Sequence, residues 1–359
     1  MLNSIAAKVA SVKDKAKTKK LGASPSQQTE RFSLWISFLL AILCMLLVSG
    51  CTSQASSSAS SQQTPGSLST STVLRNPVTT TGCGKEPSPV PGTTAEMKMT
   101  SGGLQRIYRL HVPVGYNASH MTPLVLNIHG HSETALQQER YSQYSALADQ
   151  QDFLVAYPQG VVGPDGKLGW STYGHNDPTV DDILFFSDLL TVLQQHFCVD
   201  AQRIYATGIS NGGGMTNLLA CQMAGRIAAF APVAAAIYPL PAGCHPARPV
   251  SYLEFHGTSD PLVHYNGNTL PRFPAIMDML QEWATRDGCT SGPTVFFRQA
   301  EVTGFQWTGC QAGVIVQHYR IEGGGHTWPG ATISTPLGAT THTISATMLS
   351  WRFFQKVHL

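Results

Sequence analysis

The sequence predicts a single α/β domain in which helices cover both faces of a mainly parallel central sheet. Segments typical of strands and of helices alternate along the chain from residue 104 to residue 354, which is the pattern of a parallel sheet with crossover helices. One apolar run, residues 123–128, is continuous instead of alternating, as expected for a strand buried on both faces. The chemically active residue types follow strand-like runs, at the sheet edge where ligands of such folds bind.

The elements follow from the local pattern, in chain order. The first are an edge strand at 104–112 and the buried strand at 123–128. The chain then predicts a helix, a strand and, after a loop rich in Gly and Pro, a second helix, at 134–151, 153–157 and 180–197. Strand and helix keep alternating over the remaining segments: 203–207, 215–224, 228–235, 250–255, 273–286, 314–321 and 344–354. No internal repeat is visible.

Residues 1–51 have the composition of an export signal. Seven Lys and Arg residues precede an uncharged apolar run at 32–48. The run ends in Val-Ser-Gly-Cys at 48–51, which resembles the bacterial lipobox. This resemblance implies that Cys51 becomes the lipidated first residue of the mature protein and anchors it to the membrane. An uncleaved signal anchor is the alternative, because the apolar run could nearly span a bilayer. Either interpretation puts the rest of the chain outside the cytoplasm.

Residues 52–82 are predicted to be a flexible tether, because they are Ser, Thr, Gln and Pro with a single charge and cannot bury enough apolar surface to fold. The catalytic domain is predicted at 83–359, a length that one domain can take. The whole chain has a formal charge of +2, but without the leader 16 basic residues face 19 acidic ones. This charge gives no indication of nucleic-acid binding, and no obligate protein partner is evident.

The predicted domain has six cysteines, an even number in an exported protein, so disulfides are favoured over metal binding or catalysis. Six cysteines allow 15 pairings. Proximity along the chain favours Cys289–Cys310 and Cys221–Cys244, which leaves Cys83–Cys198. No Cys-x-x-Cys pair argues for zinc.

A candidate nucleophile elbow, Gly-Ile-Ser-Asn-Gly, lies at 208–212 between a strand-like and a helix-like run. An elbow holds its serine in a strained turn, so glycines are needed two positions before and after it, where a side chain would strike a neighbouring element. Ser210 is therefore the predicted nucleophile. The N–H of Asn211, in the first turn of the helix, is predicted to stabilise an oxyanion during acyl transfer.

A serine nucleophile needs a base, and the base needs an orienting carboxylate. Asp260 follows the strand at 250–255, and His326 lies in a glycine-rich run after the strand at 314–321. Ser, then Asp, then His is the order found in α/β-hydrolases. The alternatives are a simple turn at Asp260 and an ordinary surface histidine. Asp181 and Asp182 are rival carboxylates, better explained as caps of the following helix.

The second oxyanion donor is expected in the loop after the buried strand at 123–128, and the N–H of His131 is the candidate. His129 and His131 also have the spacing of a strand-borne metal pair, so a hydrolytic metal site is an alternative. No Asp, His or Glu set obviously completes such a site. We therefore expect neither a metal nor a cofactor.

Four aromatic residues are expected in loops, where they could form the wall of a pocket for a flat or sugar-like group or act as lids over the core. Trp170 and Trp328 are the candidates for substrate contact, ahead of Trp307 and Tyr173.

Several stretches of the chain resemble secreted polyhydroxybutyrate-depolymerase-like and feruloyl esterases, and together they run from about residue 83 to the C-terminus. The Ser-Asn-Gly-Gly run at 210–213 and the Gly-Gly-His-Thr-Trp-Pro-Gly run at 324–330 are the most specific. The resemblance implies an α/β-hydrolase fold with Ser210 as nucleophile, Asp260 as triad acid and His326 as base. The chain departs from these relatives after His129-Gly130, where it has His-Ser-Glu instead of small residues. The other matching stretches lie at 106–116, 129–130, 157–160, 170, 180–183, 205–214 and 256–263.

The sequence thus predicts an exported, lipid-anchored hydrolase that cleaves carboxylic esters through an acyl-serine intermediate. By resemblance, feruloyl or acetyl groups on plant-wall polysaccharide are the first candidate substrates, polyhydroxyalkanoate the second and peptides the third. A tethered surface-binding protein on an inactive hydrolase scaffold is the alternative from a different class, because a fold does not establish an activity.

Overall fold

The computed structural model describes residues 73–172, 177 and 179–359. The predicted export signal, the lipobox-like motif with Cys51 and the tether as far as residue 72 lie outside the described residues. Within the described part of the chain, no helix is long and apolar enough to cross a membrane.

This part of the chain contains twelve strands and six α-helices. The strands are β1 Thr93–Ser101, β2 Leu104–Val112, β3 Thr122–Ile128, β4 Leu154–Pro158, β5 Val161–Val162, β6 Leu168–Gly169, β7 Val199–Ile209, β8 Ala229–Val233, β9 Ser251–Gly257, β10 Ser291–Gln299, β11 Val302–Thr308 and β12 Val316–Ile321. The helices are α1 Ala135–Ser142, α2 Tyr144–Gln151, α3 Asp182–His196, α4 Asn211–Gln222, α5 Ile276–Arg286 and α6 Ala346–Phe354.

Ten strands form one sheet in the order β1-β2-β4-β3-β7-β8-β9-β12-β11-β10. The six central strands, from β4 to β12, pair in parallel. The two strands at each end pair antiparallel. The predicted mainly parallel sheet is therefore correct, and β7, β8, β9 and β12 end side by side at one edge.

The core lies on both faces of this sheet. Along β3, Leu124 and Leu126 pack on one face and Val125 on the other, because side chains alternate along a strand. Helices α3, α4 and α5 cover the first face, and α1, α2 and α6 cover the second. This arrangement confirms the expected helices on both faces.

The predicted elements differ from the structure mainly at the sheet ends. The expected edge strand, β2, is the second strand, since β1 pairs outside it. At the other end β10 and β11 were not predicted, and β10 is exposed along nearly its whole length and has no buried apolar stripe. The single helix expected at 134–151 is two helices, because Gln143 takes a left-handed conformation with φ 57°.

All three predicted disulfides are present: Cys83–Cys198, Cys221–Cys244 and Cys289–Cys310.

Residues that precede the predicted domain boundary at Cys83 contact the folded part of the chain. The N–H of Leu74 donates to Ser187 Oγ at 2.8 Å. The N–H groups of Thr81 and Gly82 donate to the carbonyl of Gln194, at 3.0 and 2.9 Å. The described end of the predicted tether therefore packs on α3, because backbone hydrogen bonds fix it there although few of its residues are apolar.

Candidate active site

Ser210 occupies a strained turn between β7 and α4. Its φ of 58° and ψ of −121° lie in a region that residues other than glycine rarely adopt. Backbone hydrogen bonds hold it there: its N–H donates to the Val233 carbonyl at 3.0 Å, and its carbonyl accepts from Gly214 and Ala236 at 2.8 and 2.9 Å. Such strain persists only where the surroundings over-determine it, and it clusters at active sites.

The glycines on either side of Ser210 are required by close backbone contacts. A Cβ on Gly208 would lie 2.6 Å from the carbonyl oxygen of Ile128, at the end of β3. A Cβ on Gly212 would lie 2.3 Å from the same oxygen and 2.4 Å from that of His129. All three distances are too short for any side chain. The steric reason given for the two glycines of the elbow is therefore confirmed.

Asp260 and His326 form a hydrogen-bonded pair at the same edge of the sheet. His326 Nδ1 lies 2.7 Å from Asp260 Oδ2, and each residue is 4% exposed. The other carboxylate oxygen, Oδ1, holds Asp260 in place, because it accepts hydrogen bonds from the N–H groups of Leu262 and Val263 at 2.8 Å each. The structure thus brings together the two residues predicted as base and orienting acid.

Strand order explains why these residues meet. Asp260 follows β9 and His326 follows β12, and the two strands are parallel neighbours. Ser210 follows β7, which is joined to β9 through β8. All three residues therefore lie beyond the carboxyl ends of nearby parallel strands, the position of ligand sites in open α/β sheets.

The pKa of Asp260 lies well below its ordinary range. Burial alone would raise it, but hydrogen bonds from His256 and His326 outweigh burial. Asp260 is therefore an anion at neutral pH, as needed to hold an imidazolium.

The rival carboxylates have structural roles. Asp181 caps α3, since its side chain accepts from the N–H of Leu184 at 2.8 Å. Asp182 is buried, pairs with Arg106 at 2.7 Å and accepts from the N–H of Ser171 at 2.7 Å. The capping explanation is thus confirmed for Asp181, whereas Asp182 belongs to a buried ion pair.

Asn211 begins α4, which places its N–H in the first turn beside Ser210. The predicted oxyanion donor is thus at the end of the helix where backbone donors have no intrahelical partner. Its side chain is buried and fixes the segment after β6: Oδ1 accepts from the N–H of Trp170 at 2.7 Å, and Nδ2 lies 3.1 Å from Thr172 Oγ1.

The loop after β3 lies against Ser210. A Cβ built on Gly130 would be 3.3 Å from the Ser210 Cβ, so the two residues are in close proximity. His131, the second predicted oxyanion donor, follows directly, and its Nε2 pairs with Asp165 Oδ2 at 2.9 Å. The N–H of Ser132 donates to the carbonyl of Leu168 at 2.8 Å. These contacts fix the loop on either side of the His131 N–H.

Glu133 is a site residue that sequence reasoning did not single out. Its Oε2 accepts from the N–H of Gly130 at 2.9 Å and therefore braces this loop from within. Burial raises the pKa of Glu133, while the Gly130 N–H and the charge of His326 act in the opposite direction. The sequence did contain a signal for Glu133, because the chain has His-Ser-Glu where relatives have small residues. That difference affects the Glu133 side chain as well as the predicted donor, the His131 N–H.

Trp170 is a buried residue. Its ring is fully buried against Phe185 and Phe186, with centroids 6.4 and 5.3 Å apart, and its Nε1–H donates to the carbonyl of His129 at 2.9 Å. The predicted substrate contact of Trp170 is not supported by this geometry, because a residue in a loop can still be covered by a neighbouring helix, here α3.

Two of the other aromatic candidates, Trp328 and Trp307, are also buried. Trp328 is 1% exposed, and its Nε1–H donates to Thr347 Oγ1 at 3.0 Å, so the predicted substrate contact is not supported for it either. Trp307 lies in β11 and not in a loop, and is 2% exposed. Tyr173 lies outside the described residues.

His129 is engaged at both ring nitrogens. Nδ1 lies 2.7 Å from the carbonyl oxygen of Gly130, and Nε2 accepts from the N–H of Gly160 at 2.9 Å. Burial lowers the pKa of His129 to about 4, against the effect of the Gly130 carbonyl. His129 is thus a neutral residue that fixes backbone. No group of three or more His, Cys, Asp or Glu residues is placed to hold a metal ion in the part of the chain that the structure describes.

A strained serine after a central parallel strand, followed along the chain by a carboxylate and a histidine that pair beyond two later strands, is the arrangement of the α/β-hydrolases. The fold and site define this class.

Comparison with known proteins gives the family. The family model described as Esterase PHB depolymerase matches residues 106–247. The putative esterase NocK of Nocardia uniformis is 30% identical over 281 residues, covering 70% of this chain and 80% of the relative. The chain belongs to this family of PHB-depolymerase-like and feruloyl esterases.

Other relatives are similar over a smaller share of their length. Feruloyl esterase B of Piromyces equi is 35% identical over 224 residues, 60% of this chain and 41% of the relative. The bifunctional acetylxylan esterase/xylanase XynS20E of Neocallimastix patriciarum is 28% identical, and 31% of its length is covered. The chain thus spans less than half of these two relatives. Among solved structures, the acetyl xylan esterase from Aspergillus awamori has the same fold, with a TM-score of 0.52 and 17% identity over 66% of this chain and 94% of that one.

Proposed function

We propose that this protein is a serine carboxylic ester hydrolase that works through an acyl-enzyme on Ser210. The observation that carries the proposal is the buried Asp260–His326 hydrogen bond of 2.7 Å, at the sheet edge that also holds the strained Ser210. The family to which the chain belongs, with its named esterase relatives, supports the same reaction.

The hydrogen bond between His326 and Asp260 determines which nitrogen of His326 takes part in the reaction. His326 Nδ1 is bonded to Asp260, so Nε2 is the nitrogen that takes the proton of the Ser210 hydroxyl as its oxygen attacks the ester carbonyl. The negative charge then forming on the carbonyl oxygen is stabilised by the N–H groups of Asn211 and His131. The intermediate collapses, the ester's alcohol leaves with the proton from His326, and the acyl group stays on Ser210.

A water molecule completes the cycle. His326 removes its proton, the resulting hydroxide attacks the acyl carbon, and Ser210 leaves with the proton returned by His326. Asp260 keeps the ring in the required tautomer and stabilises the imidazolium in both halves of the reaction.

We infer that the substrate is a feruloyl or acetyl ester of plant-wall polysaccharide. Named relatives with these activities support this choice. Polyhydroxyalkanoate is the second candidate, favoured by the description of the matching family model. Rates on methyl ferulate, acetylated xylan and hydroxybutyrate oligomers distinguish them, and the acyl chemistry of the fastest substrate decides the class.

We also propose that the protein works outside the cytoplasm on a lipid anchor at Cys51. Three disulfides support an oxidising compartment, and the lipobox-like motif at 48–51 supports the anchor. Metabolic labelling with a fatty acid tests this: incorporation should disappear in Cys51→Ala, and equal labelling of both proteins would reject the anchor.

The test of the reaction uses p-nitrophenyl acetate and a fluorophosphonate that labels activated serines. Ser210→Ala should lose labelling and about 10⁶-fold in kcat, while Ser119→Ala, at an exposed serine, should match the unmutated protein. Equal turnover in Ser210→Ala would reject the nucleophile. Turnover abolished by a chelator would favour the metal alternative, and an unmutated protein that binds polysaccharide without turnover would favour the surface-binding alternative.

A further inference from the structure

Behind Asp260 lies a buried chain of ionisable side chains that the reaction above does not use. His256 Nδ1 lies 2.8 Å from Glu254 Oε1, and His318 Nδ1 lies 2.8 Å from Glu254 Oε2. The Tyr265 hydroxyl lies 3.0 Å from His318 Nε2. Glu254, His256 and His318 are each at most 1% exposed. Burying so many polar groups is costly unless they are paired, so their retention calls for an explanation.

His256 connects this chain to the proposed catalytic site. Its Nε2 lies 3.3 Å from Asp260 Oδ2, the same oxygen that bonds His326 at 2.7 Å, and 2.8 Å from the carbonyl oxygen of Val263. One carboxylate oxygen is thus shared between two imidazoles. Burial disfavours the charged form of His256, but Glu254 and Asp260 outweigh burial and raise the pKa of His256 to about 10. Burial is also outweighed at Glu254, where His256 and His318 lower the pKa of the carboxyl group.

We propose that His256, held by Glu254, is a positioning residue that divides the charge of Asp260 between two rings and thereby limits the basicity of His326. The inference rests on the proposed function, because it concerns the same His326.

The physical argument is one of competing charges. An anionic carboxylate stabilises the imidazolium of its partner and so makes that histidine a stronger base. A second cation on the same oxygen offsets part of that anion, so His326 is protonated less readily. It then stays in the neutral form, which can accept the Ser210 proton, down to a lower pH.

Among the described residues, the following ionisable groups near the two rings enter this balance. Asp260 and Glu133 face His326, and His256 lies against the same Asp260 oxygen as His326. Glu254 and Asp260 face His256, and His318 and Tyr265 lie beyond them in the same cluster. Of these groups, His256 is the cation that shares an oxygen of Asp260 with His326, so its removal has a definite sign.

The test is the pH dependence of fluorophosphonate labelling and of kcat/KM in the full chain. His256→Gln should move the acid limb of both profiles upward by about 1 pH unit, the shift expected when a neighbouring charge is removed. KM near the pH optimum should change less than 3-fold. A folded variant whose acid limb coincides with that of the unmutated protein overturns the inference.

A matched control separates charge from stability. His111 on β2 is also buried, at 4% exposed, and also pairs with a carboxylate, Asp149, at 3.0 Å, but it belongs to the other half of the sheet. His111→Gln should lower thermal stability and leave the acid limb in place. A similar shift in both variants would mean that the limb reports destabilisation, and would overturn the inference.

A measurement without substitution covers the case in which His256→Gln fails to fold. NMR of ¹⁵N-histidine in the unmutated protein, with ring signals connected to the His256 backbone, should show imidazolium at pH 8. A neutral ring at that pH overturns the inference. Absence of fluorophosphonate labelling in the unmutated protein would instead reject the proposed function, and this inference with it.

Discussion

Two His-Gly pairs lie at the carboxyl ends of β3 and β9 in the same sheet. One of the two histidines is neutral and the other is charged. His129 follows β3, contacts backbone groups of Gly130 and Gly160, and has its pKa lowered by burial to about 4. His256 lies in β9 between Glu254 and Asp260, which outweigh burial and raise its pKa to about 10. Both rings are fully buried, so burial is common to both and the partners decide the charge.

The two regions thus divide the work of the site in different ways. On the side of β3, backbone N–H groups are aimed by uncharged contacts and by Glu133, which suits the stabilisation of a developing oxyanion. On the side of β9 and β12, side-chain charges are balanced against each other, which suits proton transfer. The following changes act on one side and leave the other intact.

The largest effect is expected from Asp260→Asn. The amide leaves the size of the side chain unchanged but cannot stabilise a charged His326 or enforce its tautomer, so kcat on p-nitrophenyl acetate should fall about 10⁴-fold. The control is Asp278→Asn, an exposed carboxylate in the first turn of α5, which should keep full activity. A loss of less than 10-fold for Asp260→Asn, about 1.4 kcal/mol, would remove Asp260 from the proposed triad.

A smaller effect is expected on the other side, from Glu133→Ala. This change leaves the Gly130 N–H without its 2.9 Å acceptor, so the loop that carries the His131 N–H loses its brace and kcat/KM should fall about 10²-fold. Glu133→Gln is the matched variant, because its amide oxygen can still accept from Gly130. We expect it to keep activity within about 3-fold of the unmutated protein, a loss below 1 kcal/mol.

Comparing Glu133→Ala with Glu133→Gln shows whether Glu133 acts as a hydrogen-bond acceptor for the loop or through its negative charge. If Glu133→Gln loses as much activity as Glu133→Ala, the negative charge itself matters and the bracing role is wrong. If neither variant loses activity, the loop is held by its other contacts, of which the hydrogen bond from Ser132 to Leu168 is one.

The contrast between the two sides also marks the limit of what the sequence can predict. The parallel strands were found because continuous apolar runs report burial on both faces, and the glycines of the elbow because close backbone approach leaves no other choice. The chain order of Ser210, Asp260 and His326 was visible too. The two His-Gly pairs, in contrast, look alike in the sequence, and the charge of each ring depends on partners that the fold supplies, such as Gly160 for His129.

The burial of the two candidate tryptophans illustrates the same limit. A position between predicted elements left open a pocket wall or a lid over the core. In the structure α3 covers Trp170 with Phe185 and Phe186, and Thr347 in α6 bonds the ring of Trp328. Exposure is set by which element packs over a loop, and neither composition nor periodicity of the loop itself carries that information.

A third change loosens the segment that Asn211 holds while keeping the Asn211 N–H. In Asn211→Ala the buried N–H of Trp170 and the hydroxyl of Thr172 lose a partner, so the free energy of unfolding should fall by about 3 kcal/mol. Asn217→Ala in the same helix removes the acceptor of Tyr252 and Trp283 and should cost a similar amount. Urea denaturation measures both, and the rate of fluorophosphonate labelling should fall only in Asn211→Ala. Equal labelling rates would show that the segment after β6 does not support the site.

The smallest effects, and the sharpest contrast, are expected in stability against pH. The lowered pKa of His129 means that its contribution is complete above about pH 6.5 and is lost as the pH falls toward 4. The raised pKa of His256 means the reverse: its contribution is complete below about pH 6.5 and is lost as the pH rises toward 10. Relative to pH 7.5, the free energy of unfolding should therefore drop by about 2 kcal/mol at pH 5 through His129, and by about 2 kcal/mol at pH 9 through His256.

Urea denaturation at the three pH values separates the two contributions when it is repeated on single variants. His129→Gln should lose the drop at pH 5 and retain that at pH 9, and His256→Gln should show the opposite pattern. A variant that flattens both sides would show that the two rings are coupled across the sheet edge, and the independence of the two regions would then be wrong. If His256→Gln instead loses part of the drop at pH 5, the partners of His256 do not set its charge, because burial alone would lower its pKa as it lowers that of His129.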